Sequence, residues 1–370
     1  MVNMEGVKKV VLTGGHAASS AFVVAEEIIR QKKPWKLFWI GFRSSVEGEN
    51  ISTLSSLYFP KYGIKTCNII AGRLQRKWTV HTIPSLLKIP LGFIQAFFVL
   101  LKIKPDIVLS FGGFSAFPVV VWAYILGIPV IIHEQTSVAG RANIYSSFFA
   151  KKIALSRQSS QKYFPVNKTV ITGNPVPKDI KTENVSDSPG RKILFVTGGQ
   201  SGSVALNNAV EKILVDLLAK YQIIHLTGLK DEDKFKNINA RFPANLKKYY
   251  QVYGIVDPKK FNEFFNSSSV LISRAGANTV SKIVLSGRPS VLIPLPISYM
   301  NEQQENAEYA KKYSTVRIIK QEELNPENLL TEIEYLIKNG KKVKKAQKKE
   351  INPDIQASEK IVAILSSYLK

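Results

Sequence analysis

Short apolar runs recur along this chain, each closed by small turn residues and followed by a stretch with helical spacing. Residues 8–12 (KKVVL) end in Thr13-Gly14-Gly15-His16, and residues 17–30 then place Phe22, Val23, Ala25 and Ile28-Ile29 on one face. The order repeats at residues 106–110, closed by Phe111-Gly112-Gly113-Phe114-Ser115 with a helical stretch at 117–126. It repeats again at 192–196, closed by Thr197-Gly198-Gly199-Gln200-Ser201-Gly202 with helical spacing over 204–220. Further strands are predicted at 37–40, 65–70, 129–132, 152–155 and 170–172 in the first half. In the second half they are predicted at 221–227, 251–256, 270–272, 290–293 and 316–319. Helices are predicted at 91–102, 140–149, 258–266, 279–285, 325–338 and 354–369.

Runs of continuous rather than alternating apolarity indicate strands buried on both faces, as in parallel sheets covered by helices. Thr-Gly-Gly after a first strand occurs at Thr13 and at Thr197, so two domains of like architecture are expected. The boundaries read as 1–173 for the first, 174–190 for a proline-bearing linker, 191–350 for the second, and 351–370 for a closing helix that packs back on the first domain. A length of 370 residues accommodates both.

Residues 107–132 are uncharged, but Gly112-Gly113, Pro118, Gly127 and Pro129 interrupt them, which suits strand, turn, helix and strand rather than a membrane span. Residues 1–7 lack the apolar core of a signal peptide. Cys67 is the one cysteine, so no internal disulfide framework exists. The four histidines, His16, His81, His133 and His225, are scattered without zinc spacing, and no protein-held metal or other cofactor is expected.

Net charge changes the picture most. At +23 the surface attracts nucleic acid, acidic lipid or phosphorylated substrates. No helix-turn-helix, zinc-finger or RNA-binding signature accompanies the charge, so nucleic acid is not the expected partner. Between residues 73 and 104, basic and apolar residues mix: Arg73, Arg76, Lys77, Lys88, Lys102 and Lys104 with Trp78, Leu91, Phe93, Phe97 and Phe98. A buried helix after a solvated basic loop is one reading. The other is an interfacial patch on an anionic membrane, with Arg73, Arg76, Lys77, Trp78, Lys88, Phe93 and Phe97 as its members.

The candidate chemistry centres on residues 273–307. A strand leads into Arg274-Ala275-Gly276-Ala277-Asn278, a turn that aims backbone N–H groups from a helix start at an anion. A proline loop and the polar run Glu302-Gln303-Gln304-Glu305-Asn306 follow, with neutral amides suited to sugar hydroxyls. An ordinary strand–helix–strand unit has the same spacing.

Any single glycine turn is a weak signal, but several motifs taken in order form a specific series. They are Thr13-Gly14-Gly15-His16, Phe111-Gly112-Gly113-Phe114, and Leu126-Gly127-Ile128-Pro129 through His133-Glu134-Gln135 with Ala139-Gly140 and Asn143. Gly173-Asn174-Pro175-Val176, Gly198-Gly199 with Leu206-Asn207, and Arg274-Ala275-Gly276-Ala277 with Thr279-Val280-Ser281 continue the series, which ends at Gln303-Gln304-Glu305-Asn306-Ala307. Over nearly the whole chain this series resembles the MurG family of peptidoglycan glycosyltransferases. The resemblance implies the GT-B class: an α/β fold of two Rossmann-like, doubly wound parallel-sheet domains facing a cleft. It also implies inverting transfer of N-acetylglucosamine from UDP-GlcNAc to a muramyl-pentapeptide on undecaprenyl diphosphate, at the cytoplasmic face of the membrane.

By the same resemblance the donor would be held by Thr13, Gly14, Gly15, Thr136, Gln200, Ser201, Asn207, Val256, Gly276, Ala277, Asn278, Thr279, Lys282, Gln303 and Gln304. The acceptor would be held by Gly112, Gly113, Phe114, His133 and Asn143. His16 is the first candidate base or acceptor-diphosphate contact, with a backbone-bonding turn histidine as the alternative; Glu134 is the second candidate base.

The chain departs from the family pattern at several places. Lys282 stands where a glutamate accepts hydrogen bonds from ribose, Thr136 where an asparagine is usual, and Pro177 where an arginine is usual. Gln200-Ser201 is reordered, Ala17-Ala18-Ser19-Ser20 replaces a Phe-Pro, and Phe114 replaces a tyrosine. Lys282 and Pro177 leave open a related transferase with another donor or lipid acceptor. A sugar-nucleotide epimerase of the same fold, or a non-catalytic anion-binding protein, are further alternatives.

Overall fold

A computed structural model of the chain describes residues 6–15, 17–42, 52–70, 72, 82–181, 190–199, 202–343 and 352–369. The chain divides into two compact units, residues 1–176 with 353–370, and residues 177–352.

In the first unit, β1 (Lys9–Thr13), α1 (Ala18–Arg30), β2 (Lys36–Phe42), α2 (Leu54–Tyr58), β3 (Lys65–Ile69) and α3 (Thr82–Ile103) come first. Then follow β4 (Ile107–Ser110), α4 (Ala116–Ile125), β5 (Val130–Glu134), α5 (Arg141–Ser146), β6 (Lys152–Leu155) and β7 (Thr169–Ile171). The strands form one sheet in the order β3-β2-β1-β4-β5-β6-β7, and every pairing is parallel. Its continuous apolar runs are buried on both faces, with Val11, Ile40, Val108 and Ile132 among the core side chains.

The second unit contains β8 (Ile193–Thr197), α6 (Val204–Lys212), α7 (Leu214–Lys220), β9 (Gln222–Leu226), α8 (Glu232–Arg241), α9 (Ala244–Lys247), β10 (Tyr250–Tyr253) and α10 (Pro258–Ser267). It continues with β11 (Val270–Ser273), α11 (Ala277–Ser286), β12 (Ser290–Leu292), α12 (Glu302–Tyr313), β13 (Val316–Ile318) and α13 (Pro326–Val343). Its sheet, β10-β9-β8-β11-β12-β13, is also all parallel. In both units the strand order reverses beside the first strand, between β1 and β4 and between β8 and β11. That switch is where open α/β sheets leave a crevice at the strands' C-terminal ends. Among the described residues no helix is long and apolar enough to cross a membrane.

The last helix, α14 (Ala357–Tyr368), belongs to the first unit and packs on α1, where Arg30 pairs with Glu359 at 3.2 Å. A buried ion pair holds the chain just before it. Arg157 donates to both oxygens of Asp354 at 2.5 and 2.8 Å, and the Asn174 backbone N–H donates to Asp354 at 2.8 Å.

Several elements differ from the sequence pattern. The helix expected at 91–102 begins at Thr82: Pro84 falls in its first turn, where N–H groups lack intrahelical partners anyway, and Pro90 is carried inside it. The helix expected over 204–220 breaks at Ile213 into α6 and α7. Helix α8 buries a single apolar residue, Phe235, and α12 buries only Asn306, Ala307 and Ala310, so neither has an apolar stripe to announce it.

Candidate functional site

In the first unit two glycine turns meet at the sheet's switch point. The Gly15 N–H donates to the Gly112 carbonyl at 2.8 Å, and the Ser115 hydroxyl donates to the Gly14 carbonyl at 3.0 Å. Gly113 has φ of +92°, and a Cβ there would stand 2.7 Å from the Gly15 nitrogen, so no side chain fits the interlock. Gln135 bridges the same pair: its amide donates to Phe111 O at 3.2 Å and its oxygen accepts from the Ser20 hydroxyl at 3.1 Å. Gln135 is absent from the expected site residues; its place directly after a strand's C-terminal end is the signal that marks it. The half-buried Phe114 ring lies 5.1 Å from Phe42. His16 lies outside the described residues.

The other residues expected to touch ligand in this unit make hydrogen bonds within the chain. The Thr13 hydroxyl is buried and donates to Ile40 O at 2.8 Å within the sheet. His133 is fully buried, with Nε2 3.1 Å from Gly173 O and 3.3 Å from the Ser156 hydroxyl; burial drives its pKa down to about 4, so it is a neutral ring beneath the linker. Asn143 is buried and donates to His133 O at 3.3 Å and to Glu134 at 2.9 Å. Glu134 is 3% exposed and all its acceptor capacity faces the chain. One oxygen takes Thr136 N at 3.1 Å and Thr136 Oγ1 at 2.9 Å; the other takes Gly140 N at 3.0 Å and Asn143 Nδ2 at 2.9 Å. Burial raises its pKa and these hydrogen bonds oppose the rise. Glu134 anchors the loop that enters α5, and Thr136 is held inside that loop, its hydroxyl also bonding Val138 O.

In the second unit, Gly198 to Gly202 closes β8, with Gln200 and Ser201 outside the described residues. Gly202 has φ of +74°, and a Cβ there would collide with the Thr227 carbonyl. Asn207, expected at the donor, is fully buried behind this turn. It donates to Thr227 O at 2.9 Å and Asp231 at 2.7 Å, and its oxygen lies 3.1 Å from His225 Nε2. The other ring nitrogen of His225 is 2.9 Å from the Tyr250 hydroxyl, and burial lowers the imidazole's pKa to about 3. The neutral ring therefore donates from Nε2 to Asn207 and accepts from Tyr250. Asp231, Glu232 and Asp233 form the cap and first turn of α8; among the described residues no group of three acidic, histidine or cysteine side chains is placed to hold a metal.

Helix α11 carries the residues expected at an anion. Gly276 is its N-cap in an extended conformation, its first turn carries no acidic residue, and Gly276, Ala277, Asn278 and Thr279 are half-buried. First-turn N–H groups lack intrahelical acceptors and carry the positive end of the helix dipole. Asn306 donates to Ala275 O at 3.2 Å and so fixes the entry to the helix. Arg274 donates to Ile293 O at 3.1 Å and to Gln321 at 2.6 Å, which pins the start of the following proline loop. Gln303 accepts from Leu295 N at 3.0 Å, and Gln304 donates to Glu308 at 3.0 Å. Val256 is buried in the turn after β10. The Lys282 ammonium donates to Asn262 Oδ1 at 2.8 Å.

Of the basic and apolar patch, Arg73, Arg76, Lys77 and Trp78 lie outside the described residues. Phe93 and Phe97 are half-buried, with rings 6.2 Å from Phe117 and 4.6 Å from Trp122 of α4. The exposed face of α3 is instead Leu87, Leu91, Ile94, Phe98 and Leu101, at alternating steps of four and three.

Residues 193–362 match the family model of the glycosyltransferase family 28 C-terminal domain, and residues 51–155 match that of the family 28 N-terminal domain. The UDP-N-acetylglucosamine–N-acetylmuramyl-(pentapeptide) pyrophosphoryl-undecaprenol N-acetylglucosamine transferase of Legionella pneumophila (strain Paris) is 32% identical, over 95% of this chain and 94% of its own. The solved structure of Acinetobacter baumannii MurG is similar with a TM-score of 0.62 at 24% identity, covering 97% of this chain and 99% of that one. A UDP-GlcNAc 2-epimerase from Neisseria meningitidis is similar with a TM-score of 0.66 at 15% identity, covering 97% and 100%. At those identities the two structures establish the fold alone.

Proposed function

The chain belongs to the family of UDP-N-acetylglucosamine–N-acetylmuramyl-(pentapeptide) pyrophosphoryl-undecaprenol N-acetylglucosamine transferases, and from that premise we propose that it moves N-acetylglucosamine from UDP-GlcNAc to a lipid-diphosphate-linked muramyl-pentapeptide. The observation that carries this reading is the full-length match, 32% identity over 95% of the chain, rather than the fold, which epimerases share.

In the reaction, an acceptor hydroxyl forms a bond to the anomeric carbon while the bond from that carbon to the diphosphate oxygen breaks. The hydroxyl proton passes to a base, and UDP leaves with the electron pair. The first turn of α11, from Gly276 to Thr279, receives the diphosphate, whose negative charge grows as the bond breaks. A helix terminus contributes about 0.3–2 kcal/mol. Backbone amides of the Gly198–Gly202 turn add to it. Gln303 and Gln304 orient the sugar hydroxyls from the start of α12, and Val256 offers backbone to the base. In the first unit Gly14-Gly15 present backbone to the donor and Gly112-Gly113, interlocked with them, to the acceptor, with His16 as the base.

The enzyme works at an anionic membrane surface on the cytoplasmic side. The apolar stripe Leu87, Leu91, Ile94, Phe98 and Leu101 supports this, with Lys102 and Lys104 exposed at its end and a net charge of +23.

The test is transfer from UDP-GlcNAc to a short-chain lipid-linked muramyl-pentapeptide in detergent, with and without acceptor. Product that requires acceptor, with kcat/KM lowered about 10²-fold or more in His16→Ala, supports the reading. Conversion of UDP-GlcNAc without acceptor, or no product with this donor, overturns it.

A further inference from the structure

Lys282 is the residue where this chain departs from its family's pattern on the donor helix, and its surroundings explain what it does. It is 9% exposed, the sixth residue of α11. Its ammonium donates to Asn262 Oδ1 at 2.8 Å and lies 4.3 Å from the centre of the Phe261 ring. Asn262 is 2% exposed, and its amide nitrogen donates to both oxygens of Asp179, at 2.9 and 3.2 Å. One turn further along α10, Asn266 donates to Asp179 O at 2.7 Å and accepts from Lys181 N at 2.9 Å. Lys282, Asn262 and Asp179 therefore form a relay with a cation at one end, a carboxylate at the other, and one amide oriented between them.

We propose that Lys282 is a positioning residue: through Asn262 and Asp179 it ties α11 to α10 and to the start of the second unit, and so sets where the first turn of α11 points. The function rests on the reading that this turn binds the donor diphosphate. The relay needs opposite charges at its ends because a single amide presents its oxygen to one side and its N–H groups to the other. Two carboxylates, or two ammonium groups, leave one charge facing the wrong end of Asn262; the Lys282 end is buried, while Asp179 is exposed to solvent.

Polarity, however, is reversible. If Asn262 flips, a glutamate at 282 receives its N–H groups and a lysine at 179 donates to its oxygen. That gives a test in the full-length chain: wild type, Lys282→Glu, Asp179→Lys and the double variant, with Lys282→Met as a milder change. Urea unfolding midpoints and the Kd of UDP by calorimetry are read for each.

The expected result is that each single charge reversal weakens UDP about tenfold or more and lowers the midpoint, while the double variant recovers most of both, since contacting residues couple by about 2–150-fold. Lys282→Met weakens UDP about threefold to tenfold with the fold intact. A double variant that regains the wild-type midpoint but binds UDP as poorly as Lys282→Glu overturns the proposal, because Lys282 then acts on the ligand itself. So do tighter UDP binding by Lys282→Glu alone and strictly additive midpoints. UDP binding unchanged across the cycle overturns it as well, leaving a purely structural relay. Absence of UDP binding by wild type sinks the transferase reading instead, and the midpoints still decide whether the relay exists.

Discussion

Asn207 separates contact from support at the scale of one side chain. Its amide holds the Thr227 carbonyl, which lies against Gly202, and its oxygen satisfies the neutral His225 ring. Asn207→Ala leaves a buried carbonyl and a buried ring N–H without this partner. Each lost partner costs about 1–3 kcal/mol. The urea midpoint should fall accordingly, and UDP affinity should drop with it because the Gly198–Gly202 turn loses its backing. An unchanged midpoint with weakened UDP would instead place Asn207 at the ligand. In the sequence, Thr13, His133, Glu134, Asn143 and Asn207 all looked like site residues. A motif match marks the residues that a site needs, and it is silent on whether each touches the ligand or holds the loop that does. Burial makes that distinction, and it arises from the packing of distant segments, such as Gly173 over His133.

At the scale of elements, α11 makes a prediction in which stability and binding move in opposite directions. Ala277 is half-buried in the first turn, which has no acidic residue. A carboxylate there favours the helix dipole by about 0.3–1 kcal/mol. It also repels a bound diphosphate. Ala277→Glu should leave the melting temperature equal or higher and raise the Kd of UDP by about tenfold, about 1.4 kcal/mol. Unchanged UDP affinity would move the diphosphate away from this helix. Helix α3 makes the second prediction. Phe98 is 63% exposed in the middle of the apolar stripe. Phe98→Glu should lower binding to vesicles containing anionic lipid at least tenfold while the urea midpoint stays put; equal binding by the variant would remove α3 from the membrane face. The strands and glycine turns were legible because buried parallel strands leave continuous apolar runs with turn residues behind them. The exposed stripe of α3 was not: Phe93 and Phe97, the two aromatic residues of the expected patch that are described, pack toward α4, and the buried face of α3 carries Ala96, Leu100 and Ile103. Helices α8 and α12 lacked any apolar stripe to read.

At the scale of the molecule, among the described residues each unit carries one fully buried neutral histidine close to a glycine turn, His133 in the first and His225 in the second. Their folded pKa values, about 4 and about 3, lie below the ordinary 6.5. Below pH 6.5 the unfolded chain takes up a proton at each histidine while the folded chain does not, so acid favours unfolding. The stability of the neutral rings is complete above pH 6.5 and is lost as pH falls toward 4 for His133 and toward 3 for His225. Each contributes a slope of about 1.4 kcal/mol per pH unit in that window. Glu134 works in the opposite sense near its own, raised, pKa, so the diagnostic is the difference between variants rather than the raw slope. Between pH 7.0 and 5.5 the unfolding free energy of wild type should fall by up to about 1.4 kcal/mol for each histidine. His225→Gln should remove one histidine's share of that fall, and His133→Gln the other, even if both start from lower stability. A variant that keeps the full wild-type slope would mean that its histidine is already charged in the folded state. The neutral ring that orients Asn207, or the one that supports Gly173, would then have to be abandoned.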